Sequence, residues 1–197
     1  MVMTDRPSTV AGLILAAGAA TRFGSTKQLA LLDGLSLVAR AARSVAPVCD
    51  AGVLVITGAN QAEVAESLAG EPVRCVYNPA WREGIGASIR QGMASLSEHA
   101  AAVLVALADQ PGLSTTEYAA LVEAWRSAPG QPAAAVYADM PGVPAVFPRG
   151  YWPRLAALQG DSGARAVLRA LPGLTRVEMP AAAWDIDRPA DLGKGQA

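Results

Sequence analysis

The sequence has little of what most small redox, zinc and hydrolytic sites are made from: two cysteines, Cys49 and Cys75, and one histidine, His99. The cysteines stand in apolar segments that read as core and form no C-x-x-C pair. That excludes a disulfide framework and suits a reducing compartment, so a cytoplasmic location is expected. A lone His99 beside Glu98, at an expected helix end, reads better as a solvated terminus than as part of a zinc site or a Ser-His-Asp triad. Charge is scarce as well, 17% of residues with a net of −1. No basic field exists to hold nucleic acid or an anionic membrane, so an anionic ligand must be met by a few local cations. Apolar runs such as Val10 to Ala17 are far shorter than the ~20 residues that span a bilayer, and Met1 to Thr9 lacks the pattern of a signal peptide.

What is present is 197 residues, 52% of them hydrophobic, enough for one domain with a real core. A single domain over 1–197 is expected, with 1–9 a flexible N-terminal segment. Short apolar runs alternate with amphipathic stretches, the pattern of βαβ units around a mostly parallel sheet, so the class is α/β. Val10–Ala16, Gly52–Thr57, Val73–Tyr77 and Ala101–Ala108 read as buried strands, and 36–46, 60–69, 86–98 and 114–127 as helices. Ser114 and Glu117 form a capping box at the start of the last. Further on, Ala133–Tyr137 and Pro144–Phe147 read as strands joined by a Pro/Gly turn. Helices follow near 150–158 and 162–170, then a strand near 174–178. The stretch from Trp184 to Leu192 reads as a loop entering a short helix.

The segment Leu15-Ala16-Ala17-Gly18-Ala19-Ala20-Thr21-Arg22-Phe23-Gly24-Ser25-Thr26-Lys27 directly follows the first strand. Its small residues let backbone N–H groups approach a phosphate, with Gly18 and Gly24 expected in turns closed to bulkier residues. Arg22 brings a planar fork and Lys27 a compact ammonium. Of sixteen basic residues only Lys27 and Lys194 are lysine, so a lysine in this loop points to a need for an ammonium. Such a cation, placed to await an anion, should add little to the stability of the empty fold. The spacing fits neither G-x-G-x-x-G nor G-x-x-x-x-G-K-[ST].

Asp109-Gln110-Pro111 follows the run Ala101–Ala108, placing a carboxylate where open α/β sheets bind ligands and where Mg²⁺ is commonly held. A turn residue before proline is the plain alternative. In Asp185-Ile186-Asp187 the alternation puts both carboxylates on one side, a second grip on a metal, although Asp187 also suits an N-cap before Arg188-Pro189. The segment from Asn78 to Gly84 enters Gly86-Ala87-Ser88, which reads as a helix N-terminus with the Ser88 hydroxyl facing the rim. Gly160-Asp161-Ser162-Gly163-Ala164-Arg165 reads as another helix start, capped by Asp161.

Taken in order, these segments resemble the MobA-like NTP transferases, in particular the molybdenum cofactor cytidylyltransferases. The elements that carry the resemblance are the loop at 15–27, NPAWREG-x-x-ASI at 78–89, ADQP at 108–111, GDSGAR at 160–165 and DID-x-P-x-DL at 185–192. The resemblance implies a Rossmann-like three-layer nucleotidyltransferase fold. It implies attack of an acceptor phosphate on the α-phosphorus of an NTP, CTP rather than GTP because Ala17 stands where guanylyl-transferring relatives tend to have glycine. It further implies that Leu15, Ala16, Ala17, Gly18, Phe23, Gly24, Asn78, Gly86 and Ser88 hold the nucleotide and that Arg22 and Lys27 neutralise its phosphates. Asp109 would bind Mg²⁺ or Mn²⁺, helped by Asp187 and Asp185. The acceptor would be molybdopterin, with a client molybdoenzyme as a further partner. Two departures stand out: Gly142-Val143-Pro144 carries valine where relatives often have a polar residue, and Ile85 stands where methionine is frequent. Sugar-1-phosphate nucleotidyl transfer and a noncatalytic cofactor chaperone are the rival readings. A nicotinamide-dependent oxidoreductase lacks its fingerprint.

Overall fold

The computed structural model describes residues 8–19 and 23–193; Arg22 and most of the 1–9 segment lie outside the described residues. Along the chain, β1 (Val10–Ala16) leads through the small-residue loop and a 3-10 turn at Lys27–Leu29 into β2 (Leu31–Leu32) and β3 (Leu35–Ser36). There follow α1 (Leu37–Val45), β4 (Val53–Thr57), α2 (Gln61–Ser67), β5 (Arg74–Tyr77), α3 (Ile85–Ser95), β6 (Ala102–Leu107) and α4 (Thr115–Ser127). The second half adds β7 (Ala133–Tyr137), β8 (Met140–Pro148), α5 (Trp152–Ala156), α6 (Ala164–Arg169) and β9 (Thr175–Glu178), then 3-10 turns at Pro180–Ala183 and Pro189–Gly193.

Seven strands form one sheet in the order β5-β4-β1-β6-β8-β7-β9. β5, β4, β1 and β6 run parallel, β8 is antiparallel to both β6 and β7, and β9 runs parallel to β7. β1 and β4 are buried along their whole length, as unbroken apolar runs covered on both faces must be. One face packs on α1, α2 and α4 through Val38, Val64, Leu121 and Trp125. The other packs on α3, α5 and α6 through Ile89, Leu155 and Val167. The result is the three-layer, mostly parallel α/β architecture that the sequence predicted. Among the described residues no helix is long and apolar enough to cross a membrane.

Local differences have identifiable causes. The β7–β8 hairpin turns at Ala138 and Asp139, both left-handed at φ 49° and 62°, a two-residue turn whose twist suits a hairpin. Pro141 and Gly142 therefore lie inside β8, opposite Val136 and Ala135, not in the turn. β5 is an edge strand, so Cys75 is only half-buried while Cys49 is core. α3 ends at Ser95, leaving His99 in the following loop. The Ser114–Glu117 capping box is formed as expected.

Candidate active site

β1 and β6 are parallel neighbours at the centre of the sheet, and the chain proceeds from them in opposite directions, β1 toward β4 and β6 toward β8. The crevice outside their carboxyl ends is therefore the switch point where sheets of this kind bind ligands. The loop at 17–27 leaves β1 there, and Asp109-Gln110 leaves β6.

Two hydrogen bonds bring the distant C-terminal acidic segment to this point: Ile186 N–H donates to Asp109 O at 3.0 Å, and Gln110 Nε2 donates to Ala182 O at 2.8 Å. Ile186 is fully buried with Phe23, Leu32 and Leu37. The alternation of an extended segment then sends Asp185 and Asp187 away from that cluster. The Lys27 ammonium meets them, donating to Asp109 Oδ2 at 2.7 Å and to Asp187 Oδ1 at 3.3 Å. Lys27 is aimed by its neighbours. Gln28 Nε2 donates to Gly18 O at 2.8 Å, and Asn60 Nδ2 donates to Thr26 Oγ1.

Three carboxylates share one ammonium. Burial lowers the Lys27 pKa, but Asp109 first, then Asp185 and Asp187, more than offset this and hold the ammonium charged. Asp185 is pushed up to about 7, by partial burial first and then by the Asp109 carboxylate, with Asp187 adding to it and Lys27 opposing. Asp109 Oδ1 is buried with no donor. Among the described residues no group of three or more His, Cys, Asp or Glu side chains forms a ready-made metal centre. The cluster nevertheless fits a divalent cation of the kind held by one or two carboxylates plus substrate oxygens, because its negative charge exceeds what Lys27 balances and an acceptor atom waits unused. Lys27 is thus part of an ion-pair network of the fold itself, and does not stand apart as a cation that only awaits an anion.

The other predicted residues are distributed unevenly. Leu15, Ala16 and Ala17 are buried at the end of β1, and the Ala17 methyl packs in the core on the α3 side of the sheet. Gly24 is left-handed at φ 80°, as expected. Gly18 is not, and among the described residues an added Cβ there would find only Gln28 Nε2 at 3.9 Å, so the backbone there does not demand glycine. Phe23 anchors the loop in the small Ile186 cluster rather than facing the crevice. Asn78 and Ser88 are buried, Asn78 Nδ2 donating to Ser88 Oγ at 3.1 Å. The serine hydroxyl therefore points inward and not to the rim. Gly86 is a packing glycine: an added Cβ would lie 2.9 Å from Gln159 backbone atoms, while its N–H donates to Gly160 O at 2.9 Å. Asp161 does not cap α6, whose N-cap is Gly163 without a side-chain bond. Nor does Asp187 cap the last turn. Asp191 does, its Oδ2 accepting from Asp187 N at 3.0 Å and Arg188 N at 2.8 Å.

Sequence reasoning missed Gln28, Gln110 and Asp191. The first two had only their place beside Lys27 and Asp109 as a signal. Asp191 had the carboxylate spacing of a turn that closes backward onto its own start. Beside Asp185 the crevice opens into a cavity of ≈ 290 Å³, lined by Leu15, Leu107, Gln110, Tyr137, Val143 and Arg165 among others.

Residues 12–176 match the MobA-like NTP transferase domain. The chain is 38% identical over 182 residues to nicotine blue oxidoreductase of Paenarthrobacter nicotinovorans, covering 87% of this chain and 86% of that protein. Its fold is similar to that of the Mycobacterium sp. strain JC1 homolog of Mycobacterium tuberculosis Rv0371c, with a TM-score of 0.79, 28% identity, and coverage of 95% of this chain and 94% of that one. It is likewise similar in fold to Rv0371c of Mycobacterium tuberculosis in complex with manganese, with a TM-score of 0.76, 21% identity, and coverage of 94% and 97%.

Proposed function

Since the chain belongs to the MobA-like NTP transferase family, we propose that it moves CMP from CTP onto the phosphate of a molybdopterin-type acceptor. An acceptor phosphate oxygen attacks the α-phosphorus; the new P–O bond forms as the bond from the α-phosphorus to the β-bridging oxygen breaks, and pyrophosphate leaves with the electron pair. The acceptor phosphate is already ionised near neutral pH, so no general base is required. Alignment and charge neutralisation are the catalytic tasks.

The observation that carries this reading is the Lys27 ammonium set between Asp109 and Asp187, with Asp185 beside them, at the crevice between β1 and β6. Lys27 and Arg22 are assigned the triphosphate. When the nucleotide enters, phosphate oxygens compete with the carboxylates for the Lys27 ammonium. Asp109 and Asp187, with Asp185, would hold Mg²⁺ or Mn²⁺, which when bound neutralises phosphate charge; the manganese held by Rv0371c supports that choice of ion. Gly18 and Gly24 supply backbone approach. The buried Asn78–Ser88 and Gly86 contacts hold the second motif in place, so these residues act on the nucleotide through backbone position. The preference for CTP rests on the motif resemblance at Ala17.

Pyrophosphate release from CTP, Mg²⁺ and molybdopterin tests the reaction. No release, with both ligands bound, would instead indicate a noncatalytic cofactor carrier, and equal or faster turnover with GTP would reverse the base assignment.

A second reading is favoured by the relative named nicotine blue oxidoreductase: reduction of a heterocyclic dye in the same crevice. Oxidation of NADH or NADPH in the presence of such a dye, without NTP turnover, would replace the transferase reading.

A further inference from the structure

The ≈ 290 Å³ cavity beside Asp185 is walled mainly by apolar side chains, and among the described residues Arg165 is the one cation in its lining. Arg165 is fixed by a chain of bonds. Its Nη2 donates to Tyr137 Oη at 2.6 Å, Tyr137 Oη donates to Val143 O at 3.1 Å, and Gln110 Nε2 donates to that same carbonyl at 3.2 Å. The guanidinium carbon lies 5.5 Å from the Tyr137 ring centroid. Gly142 makes room for the arrangement: a Cβ there would lie 2.6 Å from Tyr137 Oη and 3.0 Å from Arg165 Nη2.

Once Tyr137 has donated to Val143 and accepted from Arg165, the fork still has most of its donors unspent. Among the described residues Arg165 makes no ion pair, not even with Asp185 of the same cavity. A preorganised fork without a counter-ion, at a mainly apolar cavity that adjoins an acidic cluster, is suited to a ligand with an uncharged body and one anionic end.

The geometry points to Arg165, set by Tyr137 over Gly142, as the residue that binds the phosphate monoester of the acceptor while the acceptor's uncharged body fills the cavity. This rests on the transferase reading for the identity of the ligand, but not for the existence of the anion site. It also explains how valine serves at position 143: the arrangement uses the carbonyl of that residue, not its side chain.

Inorganic phosphate titrated calorimetrically into the full chain tests it, with and without Mg²⁺ and a non-hydrolysable CTP analogue. Wild type is expected to bind phosphate with the analogue in place. Arg165→Gln should weaken that binding by about tenfold to a hundredfold, the worth of a charge-assisted bond. Arg165→Lys should weaken it less, and Arg154→Gln on α5 not at all. Analogue affinity should be equal in all variants, and the unfolding midpoint should be equal in the Arg165 and Arg154 variants. Gly142→Ala, which displaces the fork without removing its charge, should also weaken phosphate. Unchanged phosphate affinity in Arg165→Gln, an equal loss in Arg154→Gln, or no binding to wild type overturns the assignment. Failure of the analogue to bind wild type would defeat the transferase reading instead, and the nucleotide-free titrations would still decide Arg165.

Discussion

The two ends of the sheet carry cavities of opposite character. At the amino ends of the parallel strands a cavity of ≈ 500 Å³ is lined by Ala11, Val53, Glu71 and Arg74. Its charges are spoken for: Glu71 pairs with Arg43 at 2.7 Å, and Arg74 donates to Ser95 O at 2.9 Å. At the carboxyl ends the cavity is smaller, ≈ 290 Å³, yet three carboxylates crowd one lysine and a buried Asp109 oxygen has no donor. Volume does not locate the chemistry here. The functional reading rests instead on the crowding of charge, because three carboxylates gathered around one ammonium leave an excess that a ligand or cation can neutralise.

Removing charge at each end sharpens that contrast most. Asp109→Asn should lower turnover by about 10²–10³-fold while the protein stays folded, as expected when a group that positions and neutralises is lost. Glu71→Gln at the opposite end should leave turnover unchanged and cost at most about 1 kcal/mol, since its Arg43 partner is largely exposed. Steady-state rates with unfolding midpoints decide it. A loss under tenfold for Asp109→Asn, or equal losses at both ends, would erase the distinction.

Lys27→Ala should lower kcat/KM by about 10²-fold, with partial rescue by Lys27→Arg, whose planar fork does not fit a site shaped for an ammonium. It should also destabilise the empty protein by about 1–3 kcal/mol, below the figure for a fully buried pair because Asp109 keeps some solvent contact. Adding Asp109→Asn should return part of that stability. A destabilisation left untouched by the second change would mean that the two residues do not act on each other.

Asp187 and Asp191 divide the acidic motif between charge and structure. Asp191→Asn weakens the acceptor that holds the Asp187 and Arg188 amides, at a cost of about 1 kcal/mol, similar to a lost helix cap. Turnover should fall only a few-fold, because Asp187 keeps its charge. Asp187→Asn should do the reverse, with a larger loss of turnover and little change in unfolding midpoint. The same pattern for both would merge the roles.

Much of this was readable along the chain and some was not, for a consistent reason. Buried strands such as β1 and β6 announce themselves through unbroken apolar runs, and the Asp33-Gly34 turn between β2 and β3, left-handed at both positions, carries a hairpin signal in its Asp-Gly pair. Lys27, Asp109 and Asp187 each stand out in the sequence as a charged residue in a distinctive segment. Their mutual contact does not, because it depends on Ile186 pairing with Asp109 across the fold. Gly86 and Ser88 show a different limit: close packing against Gln159 and a buried bond to Asn78 select small and hydroxyl residues, and in sequence such selection looks the same as direct side-chain contact with a ligand.

The smallest expected effect concerns pH. Asp185 faces Asp109, Asp187 and Lys27, and its carboxyl is pushed up to about 7 from 3.8. Between those values the folded chain keeps a proton that the unfolded chain has released. Stability contributed by Asp185 is therefore present at low pH and is lost as pH rises through that window, flattening above it. A divalent cation competes with the same proton, so its apparent affinity should rise with pH over the same range. Unfolding midpoints from about pH 4.5 to about pH 8, with and without Mg²⁺, read both effects. Relative to Asp185→Asn, the wild-type midpoint should decline as pH rises, and added Mg²⁺ should recover more of it at the alkaline end. Since much of Asp185 faces solvent, the decline should be modest, and a wild-type profile parallel to that of Asp185→Asn would take this carboxyl out of the cluster while leaving Lys27 and Asp109 in it.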